Sequence, residues 1–234
     1  MAKRPGGELA TRPLHFIWLA DCSGSMSIDG KIQALNNAIR EALPHMQTVA
    51  DENPNAEVLM RVLKFSSGAQ WHVSQPTPVA DFKWVDLQTD GVTDLGRALS
   101  MLAEQLRIPP MTDRALPPVL VLISDGCPTD DFHKGLQALM NEPWGKKAVR
   151  IAIAIGEDAD TEVLQKFIGH PELKPLQANN PEALVRHIKW VSTAVLKAAS
   201  SPASQAAGAI SGGLNVPIPA PLAQTGPNAV GDVW

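Results

Sequence analysis

Cysteine is scarce in this sequence, with only Cys22 and Cys127 among 234 residues. Two cysteines are too few for the disulfide framework that staples small secreted domains, so a reducing compartment is expected. Clustered positive charge is also missing. Twenty lysines and arginines stand against 24 acidic residues, for a formal charge of −4, and only Lys3-Arg4 and Lys146-Lys147 are adjacent. Nucleic acid is therefore not an expected partner, because its binding depends on concentrated basic patches that release counterions. No apolar run approaches the roughly 20 residues that span a bilayer, so no membrane association is expected either. The basic start and the apolar stretch Leu14 to Ala20 imitate a secretion signal. His15 interrupts that stretch, Glu8 and Pro13 precede it and Asp21 follows it, so the imitation fails and the expected location is cytoplasmic. No period of 20–50 residues recurs.

What remains has the composition of an ordinary globular chain, 44% hydrophobic and 19% charged, long enough for one sizeable core. Residues 1–12 read as an N-terminal extension and 13–199 as the folded domain. From 200 to 234 Ala, Pro, Gly, Ser and Gln dominate and no charge appears before Asp232, the composition of a flexible tail. Trp234 at its end reads as a plain terminal residue.

Three runs are almost uniformly apolar: Leu14 to Asp21, Pro118 to Ser124 and Val149 to Ile155. Strands buried on both faces of a parallel sheet read this way. Amphipathic helices lie between them, one marked by Ile32, Leu35, Ile39 and Ala42, another by Leu95, Leu99, Leu102 and Leu106. Pro44 is expected to end or kink the first, and Asn180-Pro181 to cap a last helix carrying Leu184, Ile188, Val191 and Val195. The segment Ala56 to Val73, broken at Ser66-Ser67-Gly68, suits a hairpin that adds one antiparallel strand at the sheet edge. Alternating strands and helices imply an α/β, doubly wound, mostly parallel sheet with helices on both faces. Such sheets bind ligands at the carboxyl ends of their strands.

The chemistry concentrates there. Asp21-Cys22-Ser23-Gly24-Ser25 places a carboxylate and two hydroxyls at alternate positions, which in extended chain point the same way. Thr93, just before the Leu95 helix, and Asp125, just after the Val119 strand, belong to loops on the same sheet edge. Carboxylate and hydroxyl oxygens suit Mg²⁺, Mn²⁺ or Ca²⁺, whereas zinc prefers nitrogen and sulfur.

These residues resemble the von Willebrand factor A-type family, whose metal-ion-dependent adhesion site joins Asp-x-Ser-x-Ser to a distant Thr and Asp. Asp21, Ser23 and Ser25 match the first part, Thr93 in Asp90-Gly-Val-Thr-Asp-Leu-Gly96 the second, and Asp125 in Ile123-Ser-Asp-Gly-Cys-Pro-Thr-Asp130 the third. The likeness runs from about Arg12 to Ala199 and implies a Rossmann-like sheet of six strands. Within the family, the wording Asp-x-Ser-Gly-Ser-Met and Asp-Gly-x-Pro-Thr-Asp is similar to stand-alone bacterial TerY-like proteins of tellurite-resistance and stress gene clusters. That likeness implies a scaffold working with a Ser/Thr kinase and a metal-dependent phosphatase. The implied function is non-enzymatic: a divalent cation, Mg²⁺ foremost, with Mn²⁺ or Ca²⁺ as alternatives, captures an Asp or Glu of a protein partner.

Two other readings were weighed. An adaptor subunit of an ATPase or kinase-phosphatase complex would dock through its tail instead. A metal-dependent phosphohydrolase would need a nucleophile-base pair, a second carboxylate cluster or a phosphate-cradling glycine loop, and the sequence offers none. Standing alone, Asp-x-Ser-x-Ser reads as ordinary turn and helix-cap chemistry, and Thr93 and Asp125 are what turn the reading toward a metal. Cys22 and Cys127 flank the site and are expected to be small buried residues, His133 to lie on a helix surface, and Asp130-Asp131 to cap the helix that follows them. Trp18, Trp71, Trp84, Trp144 and Trp190 share no period and read as core or edge packing.

Overall fold

A computed structural model describes residues 11–200, so the expected tail and most of the N-terminal extension lie outside the described residues. Strand β1 spans Arg12–Asp21, and its last eight residues are all buried. Strand β4, Val119–Ser124, is buried throughout, and β5, Val149–Ile155, nearly so. These are the three apolar runs, and their burial on alternate side chains requires cover on both faces. Strand β2, Ala56–Ser66, pairs parallel to β1, and β3, Gly68–Pro78, folds back antiparallel to it. With the short β6, Leu176–Ala178, the sheet has six strands in the order β3-β2-β1-β4-β5-β6. β3 is the half-exposed edge, and its two prolines, Pro76 and Pro78, lie where few ladder bonds are required.

Helix α1, Lys31–Asp51, buries Ile32, Leu35, Ile39 and Ala42 and packs against α6, Pro181–Trp190. Pro44 lies inside α1 and does not end it, and the helix continues to Asp51. Burial of Ala42 and Met46 on either side of it outweighs the one missing backbone hydrogen bond. Helix α2, Leu95–Gln105, packs against α3, Phe132–Asn141, so closely that a Cβ at Gly135 would lie 2.2 Å from the Gly96 carbonyl oxygen. Short helices α4, Pro143–Lys147, and α5, Thr161–Ile168, frame β5. The Asn180 side chain accepts from the Ala183 amide and starts α6 as expected. α6 then runs through a π-helical turn, Val191–Val195, into α7, Leu196–Ser200. Among the described residues no helix is long and apolar enough to cross a membrane.

Near the start of β1, His15 is buried and its Nδ1 has no hydrogen-bond partner. Burial, aided by the positive charge of Arg61, lowers its pKa from 6.5 to about 4. The folded protein therefore binds fewer protons than the unfolded chain between those values. Stability is expected to be full above pH 6.5 and to fall by up to about 3 kcal/mol as the pH drops through 4. Urea melts from pH 7 to 4 on the parent protein and His15→Leu would check this. The variant should lose that part of the slope, and parallel curves would contradict the assignment.

Candidate metal centre

In the order β3-β2-β1-β4-β5-β6 the chain winds outward in both directions from β1 and β4, which makes the gap beyond their carboxyl ends the topological switch point. Register pairs Ala20 with Ile123, so Asp21 and Ser124 emerge side by side. The Ser124 hydroxyl donates to Asp21 Oδ2 at 2.5 Å, and the Ser23 amide donates to Asp21 Oδ1 at 2.8 Å. Asp21 is fully buried. Burial raises its pKa above the usual carboxylate range and nearby Asp125 adds to the rise, while the bonds from Ser124 and Ser23 oppose it.

Ser25 reaches the site by a different route from the one the alternating spacing suggests. The strand ends at Asp21, and Gly24–Gly30 forms a 3₁₀ segment in which Ser25 is the second residue. The turn, not strand alternation, brings Ser25 back toward its neighbours. Its hydroxyl lies 3.0 Å from that of Ser23 and donates to Asp125 Oδ1 at 2.7 Å. Since Ser25 donates its proton to Asp125, Ser23 is the donor between the two serines.

Thr93 is held by backbone stitching. The Asp90 amide donates to the Cys22 carbonyl at 2.7 Å and the Gly24 amide to the Gly91 carbonyl at 3.0 Å, binding the Thr93 loop to the Asp21 loop. Thr93 and Thr129 exchange two more bonds: the Thr129 hydroxyl accepts from the Thr93 amide, and the Thr93 carbonyl accepts from the Thr129 amide. Gly91 has a φ of +67°, and a Cβ there would meet the Ser67 hydroxyl oxygen at 2.0 Å, so this crossing needs glycine on both counts. A Cβ built on Gly126, next to Asp125, would lie 3.5 Å from Thr93 Oγ1 and 3.8 Å from Ser25 Oγ. The two hydroxyls thus flank the space over Gly126, and all five expected residues gather at one place.

Several contributors escaped the sequence reading. Ser124 is half of the innermost bond, hidden within an apolar strand. Lys31 Nζ lies 2.9 Å from Asp125 Oδ2, with side-chain exposures of 10% and 0%. Asp131 caps α3 as expected, accepting from the Lys134 amide. Asp130 does not. Its two oxygens accept from the Gly96 and Arg97 amides at 2.7 and 2.6 Å and so cap α2, the helix that follows Thr93. The close α2–α3 approach puts it nearer to that neighbouring helix start than to its own. Cys22 is buried as expected, its thiol pushed up to about 12 by burial and then by Asp21. Cys127 is exposed, a correction, because the loop after Gly126 leaves the core. Both thiols are free, and that of Cys127 is also raised, by partial burial and by Asp160. His133 lies exposed on α3.

The donor set fits a hard divalent cation. Every candidate ligand atom is oxygen, and among the described residues no group of three or more His, Cys, Asp and Glu side chains converges as a softer metal would require. Thr93 is buried as a residue, and its Oγ1 lies with Ser25 Oγ beside Gly126, next to the Asp125 carboxylate.

No protein-family model and no curated protein match the sequence. Solved structures do. A von Willebrand factor type A protein from Catenulispora acidiphila superimposes with a TM-score of 0.60 at 18% identity, covering 81% of this chain and 43% of that one. Proximal thread matrix protein 1 from the mussel byssus, solved with a zinc-occupied MIDAS motif, gives 0.58 at 19% identity over 80% of this chain and 48% of its own. The pilus adhesin SpaC from Lactobacillus rhamnosus GG gives 0.64 at 14% identity, over 80% and 31%. The fold is that of a von Willebrand factor A domain, and this chain spans less than half of each of these three proteins.

Asp130→Ala removes both acceptors from the start of α2 and is expected to cost about 2 kcal/mol, with Asp130→Asn costing less because its amide keeps one acceptor. Chemical denaturation would measure both losses. An alanine variant as stable as the parent would mean that Asp130 does not secure α2.

Proposed function

We propose that this domain holds a divalent cation through Asp21, Ser23, Ser25, Thr93 and Asp125, and that the cation captures an Asp or Glu side chain of a protein partner. The observation that carries this reading is the convergence of three hydroxyls and two carboxylates at the switch point, joined by the bonds from Ser23 through Ser25 to Asp125. Magnesium takes about six oxygens in octahedral geometry and usually keeps several waters, so such a donor set leaves coordination positions for a visitor. Three of the five donors are neutral hydroxyls and Asp125 is already paired with Lys31, so an incoming carboxylate supplies both a ligand and compensating charge.

The zinc-occupied motif of the mussel matrix protein supports a divalent ion here by analogy of fold, and the all-oxygen donors favour magnesium or manganese over zinc. Around the site, Ile28 and Val92 are exposed at 55% and 47%, in the same loops as Ser25 and Thr93. They offer apolar contact to residues flanking the captured carboxylate. Binding rather than catalysis is favoured by the serine network, since the Ser23 and Ser25 hydroxyls bond to each other and to Asp125, not to an imidazole. A cytoplasmic, bacterial stress-response setting with kinase and phosphatase partners is part of the proposal through the TerY-like wording of the motifs alone.

Calorimetric titration with Mn²⁺ and Mg²⁺ tests the reading. The parent protein should bind one ion, and Asp21→Ala should lose at least about a hundredfold in affinity, the scale of removing one charged ligand from a site of few charges. In chelator, the variant should keep the circular dichroism of the parent, because Asp21 is the last residue of β1 and lies outside the apolar core. Equal binding by parent and variant would overturn the assignment.

A further inference from the structure

We propose that Lys31 is the fixed counter-charge of this site, holding Asp125 in place and keeping the site's affinity for its cation low; this rests on the metal-binding reading above. Lys31 is the first residue of α1, and that position disfavours it twice. A helix N-terminus carries the positive end of the helix dipole, where a cation is repelled. The first turn of α1 has no acidic residue and Gly30 provides no side-chain cap, so no group within the helix offsets that repulsion. Lys31 is also buried, which costs an ammonium its hydration. What compensates is a partner 94 residues away, the Asp125 carboxylate at 2.9 Å.

The backbone is bent to bring this about. Asp29 and Gly30, with φ of +51° and +76°, are successive left-handed residues that turn the chain from the 3₁₀ segment into α1. A non-glycine residue at positive φ is uncommon, and aspartate is among those that tolerate it best. This reversal sets the start of α1 beside the end of β4.

The two oxygens of Asp125 are divided between two tasks. Oδ2 takes the Lys31 ammonium, while Oδ1 accepts from Ser25 on the side of the hydroxyls. Lys31 therefore orients the carboxylate from behind and leaves Oδ1 on the ligand side. Charge follows from the same arrangement. Two carboxylates and one ammonium sum to −1, so a bound divalent ion brings the cluster to +1. Without Lys31 the same ion would bring it to zero. The lysine thus weakens cation binding and preserves the surplus positive charge that attracts a partner's carboxylate.

The test is Mn²⁺ calorimetry on the parent, Lys31→Met and Lys31→Gln, with thermal melts of each in chelator. Methionine keeps the packing of the stem, and glutamine keeps a hydrogen-bond donor without the charge. Both variants are expected to bind Mn²⁺ at least about tenfold more tightly than the parent, a modest fraction of what one nearby unit charge exerts at protein dielectric. Both should also melt several degrees lower in chelator, because Asp125 is left buried without a compensating positive charge, and Mn²⁺ should restore most of the difference. Should Lys31→Met fail to fold, Lys31→Gln carries the comparison. Affinity equal to or weaker than the parent's in the folded variants overturns the role of Lys31 while leaving the metal reading intact. Absence of Mn²⁺ binding in the parent and both variants overturns the metal reading and this inference together.

Discussion

Two carboxylates, Asp21 and Asp125, are buried side by side at the ends of adjacent parallel strands, and the local architecture is arranged around that like-charge pair. Taking a carboxylate out of water is expensive unless hydrogen bonds or opposite charge replace the lost hydration. For Asp21 the replacement is neutral, one hydroxyl and one backbone amide, and its raised pKa reports that the compensation is incomplete. For Asp125 it is one ammonium and one hydroxyl. The difference matters. One carboxylate is held by neutral dipoles alone, whereas the other is already paired with an ammonium, so the two are compensated asymmetrically at the switch point.

Parallel pairing of β1 with β4 sets Asp21 beside Ser124, one residue before Asp125. Once Ala20 is in register with Ile123, the next residues out must be neighbours, and the sheet's hydrogen bonds fix their separation more rigidly than any loop could. The remaining contributor, Thr93, comes from a loop, and rigidity there has to be supplied by cross-links. Backbone bonds to Cys22 and Gly24 tie the loop on one side, and those to Thr129 on the other. Asp94 extends the frame by accepting from the Thr129 hydroxyl and from the Gly68 amide at the β2–β3 turn. Asp130 then secures the helix start two residues beyond. Site geometry therefore depends on residues that face away from the proposed ion.

Much of this was legible in the sequence where the cause is local. Uniformly apolar runs revealed β1, β4 and β5 because burial on both faces leaves no room for polar alternation. The Asn180-Pro181 start of α6 was readable because capping acts within three residues. The five oxygen-bearing side chains were found because they follow directly on strand ends or precede a helix, positions a doubly wound sheet brings together. The misses share the opposite property. Lys31 carries no local signal of its role, since its partner is remote in sequence. Asp130 looked like a cap for the next helix, and which of two helix starts it serves is decided by the close packing of α2 on α3. Pro44 reads locally as an end or a kink of the helix, and tertiary burial carries the helix past it. Cys127 was misjudged because a cysteine's usual burial says nothing of a loop that leaves the core.

The same division between local and remote causes bears on how such a site can change without losing the fold. The candidate ligands end strands or sit in loops and contribute little to the buried apolar core, which is built from β1, β2, β4, β5 and the helices over them. The groups that couple site to scaffold are others: Lys31 joins α1 to β4, and Asp130 joins α3 to α2. A substitution at Ser23 or Ser25 alters the coordination of an ion while the sheet register stays as it is. A change at Lys31 or Asp130 alters helix placement and site charge together, because each neutralises something the fold itself would otherwise leave exposed to repulsion or unpaired. Selection on partner recognition would therefore act with most freedom on the rim, at positions such as Ile28 and Val92, and with least on the two residues that sequence inspection passes over most easily.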